Sequence, residues 1–145
     1  MCFGARGNTF GTFFAPKTGR LAAIKLVHLY GYVSCDVHHA THWSFWGCGE
    51  NRWGGIHKMV DTVIATTWNH IIVPPRKLEK NPGGLRWFTI PGYDSQSPEI
   101  VLSTFNPYWV VSRQRLHLWY AEDFINKSEV DNGGKVCCEV YTLFV

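Results

Sequence analysis

Short apolar runs broken by turn residues constrain this chain more than any other feature. TFGTFFA, LAAIKLVHLYGYV, HWSFWG, VDTVIATTW, HIIVPP, LRWFTI, EIVLSTF, YWVVS, RLHLWY and KVCCEVYTLFV are rich in Val, Ile, Thr and aromatics, with Gly, Pro, Asn or Asp clusters between them. Such side chains lose rotamer freedom in a helix and fit a pleated surface, so about ten strands are expected. RLHLWY alternates, with Leu116, Leu118 and Tyr120 on one face and Arg115, His117 and Trp119 on the other, as in a half-buried strand. IHKMVDTVIATTW comes nearest to a helical period, but its β-branched content argues against a helix. NPGG at 81–84, PGYDSQSP at 91–98 and DNGG at 131–134 carry the residues that turns require and read as loop tips. The expected fold class is all-β, an antiparallel β-sandwich or jelly roll in a single domain over residues 1–145.

Composition narrows the function classes. Hydrophobic residues make up 46% and charged ones 17%, enough apolar surface to offset chain entropy in a globular protein. The formal charge of +3 is modest, no Lys/Arg run is present, and the seven Trp are not interleaved with basic residues. Nucleic acid is therefore not an expected partner. No stretch approaches the roughly 20 consecutive apolar residues of a membrane span, so a soluble protein is expected. Arg6 and Gly7 stand where a signal peptide needs its apolar segment, so no targeting peptide is visible. The chain is then either cytoplasmic or a mature form. The five cysteines fit neither a zinc pattern nor a CxxC motif. They point to disulfides and hence to a secreted protein, with buried thiols in a cytosolic protein as the alternative.

The stretches IKLVHLYGYVSC, HWSFWGC, WFTIPGY and above all LWYAEDFINKSEVDNGGKVCCEVYTLF resemble a secreted module of corals, anemones and hydroids. In that module a Gly-Tyr-Val-Ser-Cys stretch, a Trp-Gly-Cys and a terminal Trp-Tyr-x-Glu-Asp...Asp-Asn-Gly-Gly...Cys...Val-Tyr recur in this order. The similarity covers residues 20–145, and the size is similar to that of the cnidarins, antiviral proteins of soft corals. The resemblance implies secretion more firmly than any activity. This chain departs from the pattern by adding Cys2 and by doubling the last cysteine, as Cys137 and Cys138. Neighbouring strand residues face opposite sides, so only one of the two can reach a given partner. The pairing implied is Cys35 with Cys48 and Cys2 with one of the terminal pair.

Two segments offer chemistry. Glu122, Asp123, Glu129, Asp131 and Asn132 supply hard oxygen atoms of the kind calcium prefers. The spacing is not that of an EF-hand, since Ile125 and Lys127 fall where ligands belong, and a hydrated hairpin tip with an Asn132-Gly133 positive-φ turn is the competing reading. Asn126-Lys127-Ser128 is a glycosylation acceptor pattern, which places the loop at the surface. The other segment is CDVHHATHWSFWGC at 35–48. His38, His39 and His42 suggest zinc or copper, although no metalloprotease spacing is present. Trp43 and Phe45, with these histidines, Arg52 and Trp53, can form a rim on which a sugar ring stacks, against the alternative that such aromatics fill the core.

No nucleophile elbow, phosphate loop or dinucleotide fingerprint occurs, and no catalytic residue is assigned. Glu122 and Asp123 are adjacent, so on a strand they diverge and make a poor glycosidase pair. The expected function is non-enzymatic recognition of a glycan or glycoprotein, lectin-like, with calcium as the one candidate cofactor. The alternatives are a structural matrix protein that binds other proteins and, behind both, a metal-dependent enzyme using the histidines.

Overall fold

A computed structural model describes residues 1–50, 58–80, 87–127 and 129–145. Among them run strands β1 (Cys2–Gly4), β2 (Gly11–Phe14), β3 (Gly19–Ser34), β4 (Trp43–Ser44), β5 (Thr62–Thr66) and β6 (Ile71–Val73). There follow β7 (Glu79–Lys80), β8 (Trp87–Phe88), β9 (Glu99–Val110), β10 (Arg115–Tyr120), the short helix α1 (Ala121–Ile125) and β11 (Gly133–Phe144). All pairings between strands are antiparallel. One sheet has the order β1-β11-β3-β4, with β9 also on the outer edge of β3; the other has the order β2-β10-β5-β6, and β7 and β8 form a separate hairpin.

The two sheets bury one core between them. Leu26 lies opposite Ile100 and Val140, and Ile24 opposite Leu102 and Thr142, so inward positions fall in rows across the first sheet. Facing them are Ile64, Leu116, Leu118 and Tyr120 of the second sheet, all fully buried in the same cluster. Burying each such side chain is worth roughly 2 kcal/mol. Leu116, Leu118 and Tyr120 are buried as the alternation in RLHLWY requires, but Trp119 on the opposite face is buried too, because Phe10 and Phe124 pack over it; the all-β sandwich expected from the strand pattern is the fold observed.

Three local expectations are corrected. EIVLSTF and YWVVS belong to one strand, β9, whose ladder to β3 jumps from Ser103 to Tyr108. Pro107 has no N–H to donate and sits in this break, on a strand that among the described residues pairs only with β3. PGYDSQSP is not a free loop tip: the Ser95 carbonyl accepts from the Phe45 and Trp46 amides, and the Gln96 side chain donates to the Trp43 carbonyl. Finally, the chain after β10 coils into α1 rather than an open loop.

The disulfides are Cys2–Cys137 and Cys35–Cys48. Cys2 faces Cys137 directly across the β1–β11 ladder, while Cys138 points into the core as a buried free thiol. Burial pushes that thiol up to about 11 and leaves it protonated at neutral pH.

Candidate functional site

The two segments singled out in the sequence meet at one end of the sandwich. The Val37 amide donates to the Asp131 carbonyl at 2.9 Å, and the Tyr120 hydroxyl, at the end of β10, donates to the Gly47 carbonyl at 2.8 Å. Asp61, just before β5, joins them. Its amide donates to the Trp46 carbonyl and its own carbonyl accepts from Ala121. The disulfide-closed segment 35–48 is thus laced to the acidic segment 120–132 through the start of β5.

The acids at this junction are not all exposed as on a hairpin tip: Glu129 and Asp131 are half-buried and the rest lie deeper. Asp61, Glu122, Asp123 and Asn132 are all buried, because α1 folds the carboxylates back under the sheet ends. Nor does Asn132-Gly133 make the positive-φ turn. The left-handed residue is Gly134, at φ 88°, already inside β11.

A Cβ at Gly134 would collide with the Tyr32 carbonyl oxygen and with the Trp43 ring that lies across it. Gly134→Ala is therefore expected to cost roughly 2–3 kcal/mol, measured by urea unfolding, from the sum of strain and overlap.

The polar atoms divide into two groups. Asp123 is held by the N-terminal loop: its Oδ1 accepts from the Asn8 amide at 2.9 Å and its Oδ2 from the Thr9 amide at 3.0 Å. Beside it, Glu129 Oε2 accepts from the Gly7 amide at 3.3 Å. Burial, and then the hydrogen bond with Glu129, push the Asp123 carboxyl up to about 6. The inner group is Asp61, Glu122 and Asn132, and one oxygen of each, Asp61 Oδ1, Glu122 Oε1 and Asn132 Oδ1, has no hydrogen-bond partner among the described residues. The Asn132 amide nitrogen donates to the Ala5 carbonyl, which aims its oxygen away from that partner. Burial pushes Glu122 up to about 8 against an opposing hydrogen bond with the Asn132 side chain, with the Asp131 charge adding to the rise. Burial likewise raises Asp61 well above the ordinary carboxylate range, and Glu122 adds to it. Tyr120 is raised by the same burial and the same acids.

An unpartnered buried oxygen costs about 1–3 kcal/mol. Asp61 and Glu122 are neighbours, the Glu122 amide donating to Asp61 Oδ2 at 3.4 Å, and the Asn132 side chain adjoins Glu122; carboxylate and amide oxygens are of the hard type that calcium prefers. No three carboxylates converge within 4.8 Å among the described residues. Sequence reasoning missed Asp61. Its signal was a single carboxylate set between Val60 and the strand TVIAT.

The three histidines are divided between solvent and the interior. His38 and His39 are exposed, and His42 is buried beside the Cys35–Cys48 disulfide, its ring centroid 4.7 Å from that of His39. Cys35, His42 and Cys48 do bring their ligand atoms within 4.8 Å of one another, but the two sulfurs are bonded to each other. Trp43 and Phe45 are half-buried. Phe45 stacks on His28 at 3.7 Å and leans on Tyr32 at 5.6 Å, which leaves Tyr32 as the exposed edge of an aromatic surface. Arg52 and Trp53 lie outside the described residues. Of the other tryptophans, Trp46, Trp87 and Trp119 are buried, whereas Trp68 and Trp109 are exposed. Asn126 is exposed as the left-handed cap of α1; Ser128 of its acceptor tripeptide is outside the described residues.

On the other flank of the acids, Phe3, Gly4, Arg6, Thr9, Asn132 and Gly134 line an open cleft of about 670 Å³. The arrangement offers a concave surface, an aromatic surface and a seat of hard oxygens at one end of a rigid sandwich. No described helix is long and apolar enough to cross a membrane.

No family model and no curated protein matches the chain. Among solved structures it is similar to AJLec from the sea anemone Anthopleura japonica, with a TM-score of 0.89 and 34% sequence identity over 99% of this chain and 92% of that one. Identity at this level over nearly the whole length of both chains, with the same fold, is kinship rather than shared architecture alone, and it is consistent with a cnidarian module. The chain belongs to the family of this sea-anemone protein.

Proposed function

We propose that this is a secreted, non-enzymatic carbohydrate-binding protein, recognising a glycan or glycoprotein at the end of the sandwich where segments 35–48 and 120–132 meet, with a calcium ion held among the buried oxygens. Its relative's name marks that protein as a lectin. Two disulfides are compatible with an extracellular setting. The observation that carries the reading is the set of three unpartnered buried oxygens on Asp61, Glu122 and Asn132. A divalent cation offsets their burial and fixes the loops around it. Defence, including antiviral action, would follow from binding the glycans of a virus or microbe.

The experiment is a glycan array probed in calcium and again in EDTA. Binding to a defined glycan class that EDTA removes is the expected result. Absence of binding to any glycan in either buffer would sink the reading.

The buried acids add a prediction for the cation-free protein. The Glu122 carboxyl is raised from 4.5 to about 8, so its contribution is fully present below about pH 4.5, where both states hold the proton. As pH rises through 8 the unfolded chain has ionised freely while the folded one is forced to, and stability falls. In EDTA, the unfolding free energy should drop by a few kcal/mol between pH 5 and about 8. Glu122→Gln should flatten that slope. Calcium should reverse it, since a cation favours the ionised acids. Thermal unfolding across this pH range, with and without calcium, reads all three.

A further inference from the structure

A second feature lies away from the acids, along the edge strand β6. The turn between β5 and β6 is tightly bonded: the Thr66 amide donates to the His70 carbonyl, the Asn69 amide to the Thr66 carbonyl, and the Thr66 hydroxyl accepts from both the Trp68 and His70 amides. Asn69 takes the left-handed conformation, φ 63°, that closes the turn. This well-built turn holds Trp68 in solvent at 90% exposure. An indole displayed on a rigid frame, rather than on a loose loop, is a ready stacking surface.

Directly after it, Asn69, His70 and Arg76 line a groove of about 320 Å³ whose apolar floor is Ile71, Phe88 and Phe124. The His70 ring is fixed by stacking on Tyr108 at 5.4 Å. Arg76 is exposed and forms no ion pair among the described residues, and Lys77 stands next to it. Among the described residues no carboxylate lines the groove, the reverse of the acidic end. Asp61 precedes β5 and Trp68 follows it, so the two features are separated by a strand of roughly 17 Å.

We propose that this groove and the turn beside it form a second saccharide subsite, for a sugar bearing a carboxylate or sulfate: Arg76 pairs with the anion and Asn69 bonds a hydroxyl inside the groove, and Trp68, which stands on the turn next to Asn69 and outside the groove lining, stacks on the part of the ligand that extends past it. The proposal rests on the carbohydrate-binding reading above. A guanidinium presents paired donors that match both anions, and among the described residues it meets no competing acid in the groove. Two separated subsites of unlike charge let a single chain bridge two glycans.

Glucuronic acid and glucose 6-sulfate are the probes, with glucose as the neutral control, followed by tryptophan fluorescence and saturation-transfer NMR in EDTA. At least one anionic sugar should bind more tightly than glucose, and its affinity should fall about tenfold in Trp68→Ala and in Arg76→Ala. Both residues are exposed, so the variants fold. Equal affinity for all three sugars, or unchanged affinity in both variants, overturns the proposal. Calcium-dependent array binding that survives in Trp68→Ala belongs to the acidic end. Its loss from the native chain, with anionic-sugar binding retained, would remove the first reading and leave this one.

Discussion

Replacing Cys2 and Cys137 together by serine is expected to lower the unfolding free energy by about 5 kcal/mol. The cross-link spans 135 residues, nearly the whole chain, and the entropy that a loop removes from the unfolded state grows with its length. The same calculation for Cys35–Cys48, which spans 13 residues, gives about 3 kcal/mol. Guanidinium unfolding of the two double variants should rank them in that order. A loss under about 1 kcal/mol for the longer link would mean that the ladder alone pins β1. That ladder is real: the Met1 amino group donates to the Cys138 carbonyl, and the Cys138 amide to that of Met1. The variant should also weaken the acidic end, because freeing β1 loosens the Asn8 and Thr9 amides that hold Asp123. Cys138, buried and protonated, makes a poor attacking thiol for disulfide exchange.

Trp46→Ala is the next largest effect, about 4 kcal/mol. The side chain is fully buried, stacks on Phe3 with centroids 6.4 Å apart and donates its indole N–H to the Ser97 carbonyl at 2.7 Å. Its removal leaves both a cavity and an unpaired carbonyl. Its backbone carbonyl accepts from the Asp61 amide and the Thr62 hydroxyl, so the ring also positions the residue that sequence reasoning missed. Trp46→Ala should therefore lose the calcium response along with stability. Trp46→Phe, which keeps most of the apolar volume, should lose stability but retain the response. Thermal unfolding with and without calcium separates the two outcomes.

The sandwich was legible because strand burial is written at period two. Leu116, Leu118 and Tyr120 could be assigned to the core from RLHLWY alone, and they are buried as that alternation requires. Cys137 and Cys138 likewise had to face apart, and only Cys137 is cross-linked. The site was legible only in outline. Both of its segments were visible as concentrations of unusual residues, yet their meeting depends on contacts between residues far apart in the chain, such as Val37 with Asp131. Burial of Glu122 and Asp123 was hidden by the local composition, since a run of acids and an Asn-Gly pair reads as a solvated turn until α1 turns it inward. Trp68 and Arg76 carried no local signal at all. Each is unexceptional in sequence, and only exposure on a bonded turn and absence of an ion pair among the described residues distinguish them.

The central claim is that the oxygens of Asp61, Glu122 and Asn132 seat a cation that organises the sugar-binding end. Calorimetric titration of calcium into EDTA-stripped protein at pH 7 tests it most directly. The account predicts saturable binding of one ion per chain, with release of protons from the raised Glu122 and Asp61 carboxyls detected by repeating the titration in buffers of different ionisation enthalpy. It also predicts that Asp61→Asn removes the binding. No saturable heat from the native protein, or unchanged binding and proton release in Asp61→Asn, would contradict it.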